Sequence, residues 1–429
     1  MKASKIALAA ALVVAAGTAT AAPNANRIAL SAGASAIQAN LTTAMQNLCT
    51  AASGVPTVFA SGNFTTVVCA NTAVTSGAGG TYASKPNSDF INFQGTNFAE
   101  LRVNVANGSF GNIQILNGVP FTFRDPITLT QIAAPAGAVI VGGVNDVEPS
   151  TFPVATIGSL TVFPSFRVGV AQTFGVAASS ALYAKMFDAQ KAAGSIPASC
   201  LVTDTALSYC VPSIGRAQMA TIMSDNAFNS AYSRGLAFLT NDAADEGVEL
   251  RYVRRVDTSG TQASAQNYFL GLTCSRASLA VVPEPTSDDE PGGLKDALIG
   301  AIRVYAAGGT GDVRTELNRA SVFALGVMSG ENNQASQNWR WLRVNGASIG
   351  ENAAPASAGV TNSATTKAGN YDFYFETTYS GGGAVGNAFW TRVSTALNTL
   401  AAPVGLINNT DLGSGYNNGG STCLQSSSN

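Results

Sequence analysis

The chain has 429 residues, enough for two hydrophobic cores, and carries 23 Lys+Arg against 25 Asp+Glu for a formal charge of -2. Charged residues make up only 11% of it and form no basic stripe, which argues against a nucleic-acid partner and confines any anion site to local geometry. Histidine is absent, which excludes Ser-His-Asp and Cys-His catalysis as well as His-ligated zinc.

Lys2 and Lys5 precede the apolar run 6–16 and the small-residue site Ala19-Thr20-Ala21. This is the pattern of a secretory signal peptide spanning 1–21. No Cys stands at the new N-terminus to carry a lipid, and no later apolar run approaches the ~18 residues of a membrane span. A periplasmic or extracellular protein is expected. The six cysteines are even in number and sit in an oxidising compartment, so disulfides are expected. Pairing near neighbours and tying back the tail gives Cys49–Cys69, Cys200–Cys210 and Cys274–Cys423.

The pattern predicts a strand over 27–30, a small-residue turn over 31–35, and a helix over 36–48 with Ile37, Leu41, Met45 and Leu48 on one face. Residues 50–98 are polar and rich in Gly, Ser and Thr, and read as an irregular insertion. A strand over 101–105, a loop over 107–111 and a short helix from 112 follow. A strand over 138–141 runs into the segment from Gly142 to Asp146. A second unit starts near 160, with an extended run over 166–176 and a helix over 214–223. Next come a strand over 248–256 and a helix over 262–272. The acidic, Pro-rich stretch 283–293 reads as a solvated surface loop. Beyond it the sequence predicts a strand over 302–306, a helix over 314–318, a return crossing at 324–328, a strand over 371–378 and a helix over 389–400. Strands alternating with helices predict an α/β fold with a mainly parallel sheet.

Four segments share one form, a strand end followed by small polar residues: Ala34-Ser35-Ala36, Gly108-Ser109, Asn145-Asp146, and Arg255 to Thr261. In open α/β sheets ligands bind beyond the carboxyl ends of strands. Ser35, Ser109, Ser259 and Thr261 offer hydroxyls, the Ala36 and Gly260 amides offer N–H donors, and Arg255 offers a charge-assisted fork that Asp257 is expected to hold in place. Asp146 would repel an anion unless that anion carries a proton for it to accept. Phosphate and arsenate carry one at neutral pH, and sulfate does not. Taken singly, Ser35 reads as a helix cap, Gly108-Ser109 as a turn, and Arg255 with Asp257 as a structural ion pair. Their repeated context favours one shared ligand.

Arg255-Val-Asp-Thr-Ser-Gly-Thr261 resembles the R-x-D-G-S-G-T segment of the periplasmic phosphate-binding proteins of ABC transporters, with Thr258 in place of the usual Gly. Ala32-Gly-Ala-Ser-Ala36 resembles their first loop, Gly108-Ser-Phe-Gly111 their G-S-S-G turn, Gly143-Val-Asn-Asp146 their G-A-S-D segment, and the 214–223 helix their L-x-x-x-x-L-x-x-I-F helix. The resemblance implies a two-lobed type II periplasmic-binding-protein (Venus-flytrap) fold. Lobe I would comprise 22–160 with 330–429, and lobe II 161–329. It implies inorganic phosphate in the interlobe cleft, held by Ser35, Ala36, Ser109, Asp146, Arg255, Ser259, Gly260 and Thr261. It further implies an ABC permease as partner. A monomer without catalytic residues, metal or cofactor is expected. A cell-surface or extracellular structural protein on the same fold, binding phosphate weakly or not at all, is the alternative. A phosphatase is disfavoured, since no activated nucleophile is evident.

Overall fold

A computed structural model describes residues 28–49, 57–69, 91–93, 96–98, 100–126, 128–224, 230–271, 281–290, 293–350, 364–400 and 406–408. The expected signal peptide and the expected Cys274–Cys423 pair fall outside these residues.

The first part of the chain builds a parallel core. Strand β1 (Ile28–Ala32) leads through a turn into helix α1 (Gln38–Leu48). A hairpin of β2 (Thr57–Ser61) and β3 (Phe64–Val68) follows, then a small hairpin of β4 (Ile91–Phe93) and β5 (Thr96–Phe98). Strand β6 (Glu100–Asn104) passes into α2 (Phe110–Leu116). The hairpin of β7 (Thr122–Arg124) and β8 (Gln131–Ala133) precedes β9 (Val139–Asn145). Strand β1 lies between β9 and β6, parallel to both. All five of its residues are buried, as expected for a strand covered on both faces. The packing is tight enough to fix glycine at 143, where a Cβ would overlap the Ala32 carbonyl.

After the short helix α3 (Val154–Ile157), the 14-residue strand β10 (Phe166–Ser179) crosses the molecule, and Ser179 caps α4 (Ser180–Ala192) through its side chain. Then come β11 (Ser213–Ile214), α5 (Arg216–Met223), α6 (Ser230–Arg234) and α7 (Ala237–Thr240). A second parallel core follows: β12 (Leu250–Arg255), α8 (Gly260–Leu270), β13 (Lys295–Ile299), β14 (Ile302–Ala307), α9 (Thr310–Leu317) and β15 (Ala324–Ser329). Strand β12 lies parallel between β14 and β15. The chain closes with β16 (Trp339–Trp341), β17 (Arg343–Val344), α10 (Ala364–Lys367), β18 (Tyr374–Gly381), α11 (Gly383–Asn398) and β19 (Leu406–Asn408).

Among the described residues one mixed sheet of 13 strands runs β13-β14-β12-β15-β10-β18-β9-β1-β6-β3-β2, with β16 and β19 paired to β10. Strand β10 joins the two parallel cores. Its first half pairs with β18 and its second half, from Phe174 to Ala178, pairs antiparallel with β15. Helices α1 and α11 pack together against the first core. Along α11, Phe389, Trp390, Val393 and Leu397 recur at helical spacing and are buried. The Trp390 indole also donates to the Val141 carbonyl at 2.7 Å, so Trp390→Ala would cost roughly 3–5 kcal/mol.

The α/β class matches the sequence reading, but the sheet is mixed and not mainly parallel, its parallel pairings lying in the two cores and the others antiparallel; other details differ too. The described part of the 50–98 segment is not irregular: β2 and β3 extend the sheet, with β3 antiparallel to β6. The stretch at 324–328 is a buried sheet strand. Disulfides join Cys49 to Cys69 and Cys200 to Cys210, each with Cα atoms 5.4 Å apart, as expected of an oxidising, extracytoplasmic compartment. No helix of the described residues is long and apolar enough to cross a membrane.

Candidate functional site

The carboxyl ends of β6 and β9 from one core meet that of β12 from the other. Residue 108 sits at φ 54°, a left-handed turn that glycine tolerates, and the turn brings Ser109 inward. Ser109 is 0% exposed, and its Oγ accepts a bond from the Asp146 amide at 2.9 Å. The next amide, that of Phe110, donates to the Thr258 carbonyl at 3.3 Å. Gly260 packs against the same pair: a Cβ there would overlap Ser109 Oγ and approach Asp146 Oδ2 to 2.8 Å. Ser109, Asp146 and the start of α8 therefore form one contact cluster.

Helix α8 starts at Gly260, with Ser259 extended at the cap and making no capping bond to its own helix. Gly260 and Thr261 open the helix, at positions whose N–H groups lack intrahelical partners and carry the positive end of the dipole. Ser259 and Thr261 are both buried.

Asp146 is 2% exposed, and its Oδ1 has no hydrogen-bond partner among the described residues. Burial first, then the nearby Glu331, push its carboxyl up to about 7, against the opposing pull of Arg255 and the Ser109 hydroxyl. Arg255 is 3% exposed. Its guanidinium donates to the Ala307 carbonyl at 3.2 Å, the Gly308 carbonyl at 2.9 Å and Thr310 Oγ1 at 3.1 Å. Among the described residues no carboxylate forms an ion pair with it. Burial lowers its pKa to about 10, against the attraction of Asp146, Asp312 and Glu331. A buried cation without a direct counter-ion and a buried acid with an unbonded oxygen thus face each other electrostatically. Both are costly unless a ligand completes them.

Asp257 does not hold Arg255. It pairs with Arg254, and at 41% side-chain exposure it stands at the rim. Successive strand residues point to opposite faces, so Arg254 and Arg255 leave β12 in different directions. Arg254 turns back to Asp257 and to the Val282 carbonyl, whereas Arg255 reaches the end of β14. Ser35 and Ala36 occupy the turn after β1, where the Ala34 amide bonds the Val144 carbonyl at 2.7 Å. That places them beside β9, and among the described residues no hydrogen bond joins them to Ser109 or Arg255. Helix α1 starts later, at Gln38, so Ser35 is not its cap.

Four residues escaped the sequence reading. Gly308, just after β14, and Thr310, at the start of α9, bind the Arg255 guanidinium. Gln262 Oε1 accepts from the Arg255 amide at 3.0 Å. Glu331 follows β15 and Gly330, and is not one of the small polar residues that marked the other loops. No group of His, Cys, Asp and Glu suited to a metal ion occurs among the described residues. No family model matches the chain, and it matches no curated protein and no solved structure.

Proposed function

We propose that this chain is an exported binding protein for a protonated tetrahedral oxyanion, with inorganic phosphate its first candidate. One observation carries the reading. The buried Asp146 sits against Ser109 and the start of α8, and among the described residues its Oδ1 is unbonded and the buried Arg255 has no ion-pair partner. Arg255, the Gly260 and Thr261 amides and the hydroxyls would neutralise and hydrogen-bond the anion, and Asp146 would accept its proton. Sulfate, fully ionised, would meet Asp146 oxygen to oxygen with no proton between them.

The two-lobed arrangement and the hand-over to an ABC permease belong to this reading. In its support, the two parallel cores share β10, whose pairing passes from β18 to β15. Closure would then draw the β12 edge onto the β6 and β9 edges. Calorimetry at about pH 8, where Asp146 would be mostly ionised, tests the proposal: phosphate is expected to bind and sulfate to bind at least about tenfold more weakly. Equal affinities there would defeat it.

A further inference from the structure

Helix α8 opens on the oxyanion site with Gly260 and carries Tyr268 about 12 Å further along its axis. Tyr268 lines a second cleft of about 500 Å³, a volume in the range of small-molecule sites. Tyr371 and Tyr374 are buried with it, and the exposed Arg216, Asn345 and Asp372 stand around the three rings. Tyr268 organises these polar groups. One face of its ring stacks on Phe373, with 4.3 Å between centroids, and the Arg216 guanidinium lies over the other face, 4.4 Å from the centroid. A guanidinium held over a ring keeps its N–H edge for a ligand. Among the described residues the Arg216 side chain has no hydrogen bond and no ion pair. The Arg216 amide, first in α5, donates to Asn345 Oδ1 at 2.8 Å, which fixes that carboxamide and leaves its Nδ2 donor without a partner among the described residues. At the end of the same ring, the Tyr268 hydroxyl donates to Asp372 Oδ1, and Asp372 Oδ2 accepts nothing among the described residues. Burial first, then the bond to Asp372, hold this hydroxyl above its ordinary range, so it remains the donor. The cleft therefore has a donor end, Arg216 with Asn345, and an acceptor end, Asp372. The two ends touch one tyrosine and do not pair with each other.

We propose that this cleft is a second binding site, for a small zwitterion with its carboxylate and ammonium a few bonds apart, as in a free α-amino acid. The carboxylate takes charge-assisted bonds from the Arg216 fork and a further bond from Asn345 Nδ2. The ammonium donates to Asp372. The remaining volume, walled by Tyr371 and Tyr374, takes a large apolar or aromatic side chain. A carboxylate without the ammonium leaves Asp372 facing an anion, and an amine without the carboxylate leaves Arg216 facing a cation. Nothing in this site depends on the oxyanion reading.

Calorimetry on the full chain against the standard amino acids tests the proposal, with phenylpropionate and phenethylamine as the two halves of L-phenylalanine. An amino acid, L-phenylalanine first, is expected to bind, and each half to bind at least about tenfold more weakly. Arg216→Ala, and Asp372→Asn, which keeps an acceptor for Tyr268, are each expected to weaken the amino acid at least about tenfold and to leave phosphate affinity unchanged. Equal amino-acid binding by the wild type and both variants would put the ligand elsewhere and overturn the site. Phenylpropionate binding as tightly as L-phenylalanine would overturn the zwitterion, and so would binding of no standard amino acid. Should one variant fail to fold, the other decides together with the comparison of the whole ligand and its halves on the wild type.

Discussion

The two parallel cores are built alike and differ in charge. Each has three parallel strands, β9-β1-β6 in one and β15-β12-β14 in the other, and each presents strand carboxyl ends to the candidate site. The first edge supplies Ser109 and Asp146, with Ser35 in the turn after β1 beside them, and no cation among the described residues. The second supplies Arg255, Thr310 and the opening amides of α8. One edge is equipped to accept a proton and the other to neutralise an anion. Neither set alone suits a protonated oxyanion, so selectivity depends on the two meeting.

The largest expected break in this division of labour is removal of the cation. Arg255→Ala should cost about 2–5 kcal/mol of phosphate binding, since a buried charged partner is lost; isothermal calorimetry measures it, and a loss below about 0.5 kcal/mol would place Arg255 outside the site.

The proton-accepting edge comes next. Asp146 is raised from 3.8 to about 7, so the folded state holds its proton more tightly than the unfolded chain does. Stability is therefore full at low pH and is lost as pH rises from about 4 through about 7. Asp146→Asn should stabilise the ligand-free protein by on the order of 2–4 kcal/mol at pH 8 and change it little near pH 4. Thermal melts across that range decide the matter, and a wild-type melting point that climbs steadily from pH 5 to about 8 would contradict the assignment.

Closer still to the seam, Gly260→Ala inserts a methyl between the two edges, against Ser109 Oγ and Asp146 Oδ2. The expected penalty on binding is about 1–3 kcal/mol, as for overpacking elsewhere, and unchanged affinity would mean that the edges do not close on each other as described. The smallest effect is expected from Asp257→Ala. It removes the partner of Arg254 and should cost about 1 kcal/mol of stability in denaturant titration while leaving phosphate affinity within about threefold. A large loss of affinity would instead restore Asp257 as the residue that positions Arg255.

Most strands and helices were legible because apolar periodicity and Gly/Ser breaks agree locally, as at β1, α1, β12 and α8. The β2–β3 hairpin was not, since its short Thr/Val/Phe strands lie within a polar, glycine-rich stretch. Helix α4 was missed as well, because its Ser-Ala start continues directly from a long buried strand. At the site, residue types were legible but partners were not. Two adjacent arginines, Arg254 and Arg255, are equivalent candidates for Asp257 until the strand's alternation assigns each a face. Glu331 stayed hidden because one glutamate in a polar run carries no local sign of what lies across the fold from it.

The double membership of β10 bears on how the molecule can be divided. Its residues complete the sheet of both cores, and no cut in the chain leaves each core with its own copy. A fragment ending before Phe166 would lack both β10 and β18 and leave β9 without its antiparallel neighbour. One beginning at Phe166 would keep the β10–β18 pair but bare the edge of β18 that β9 covers. Exposed, apolar strand edges invite association between chains. Each core produced on its own is therefore expected to aggregate, even though each has a parallel centre of its own.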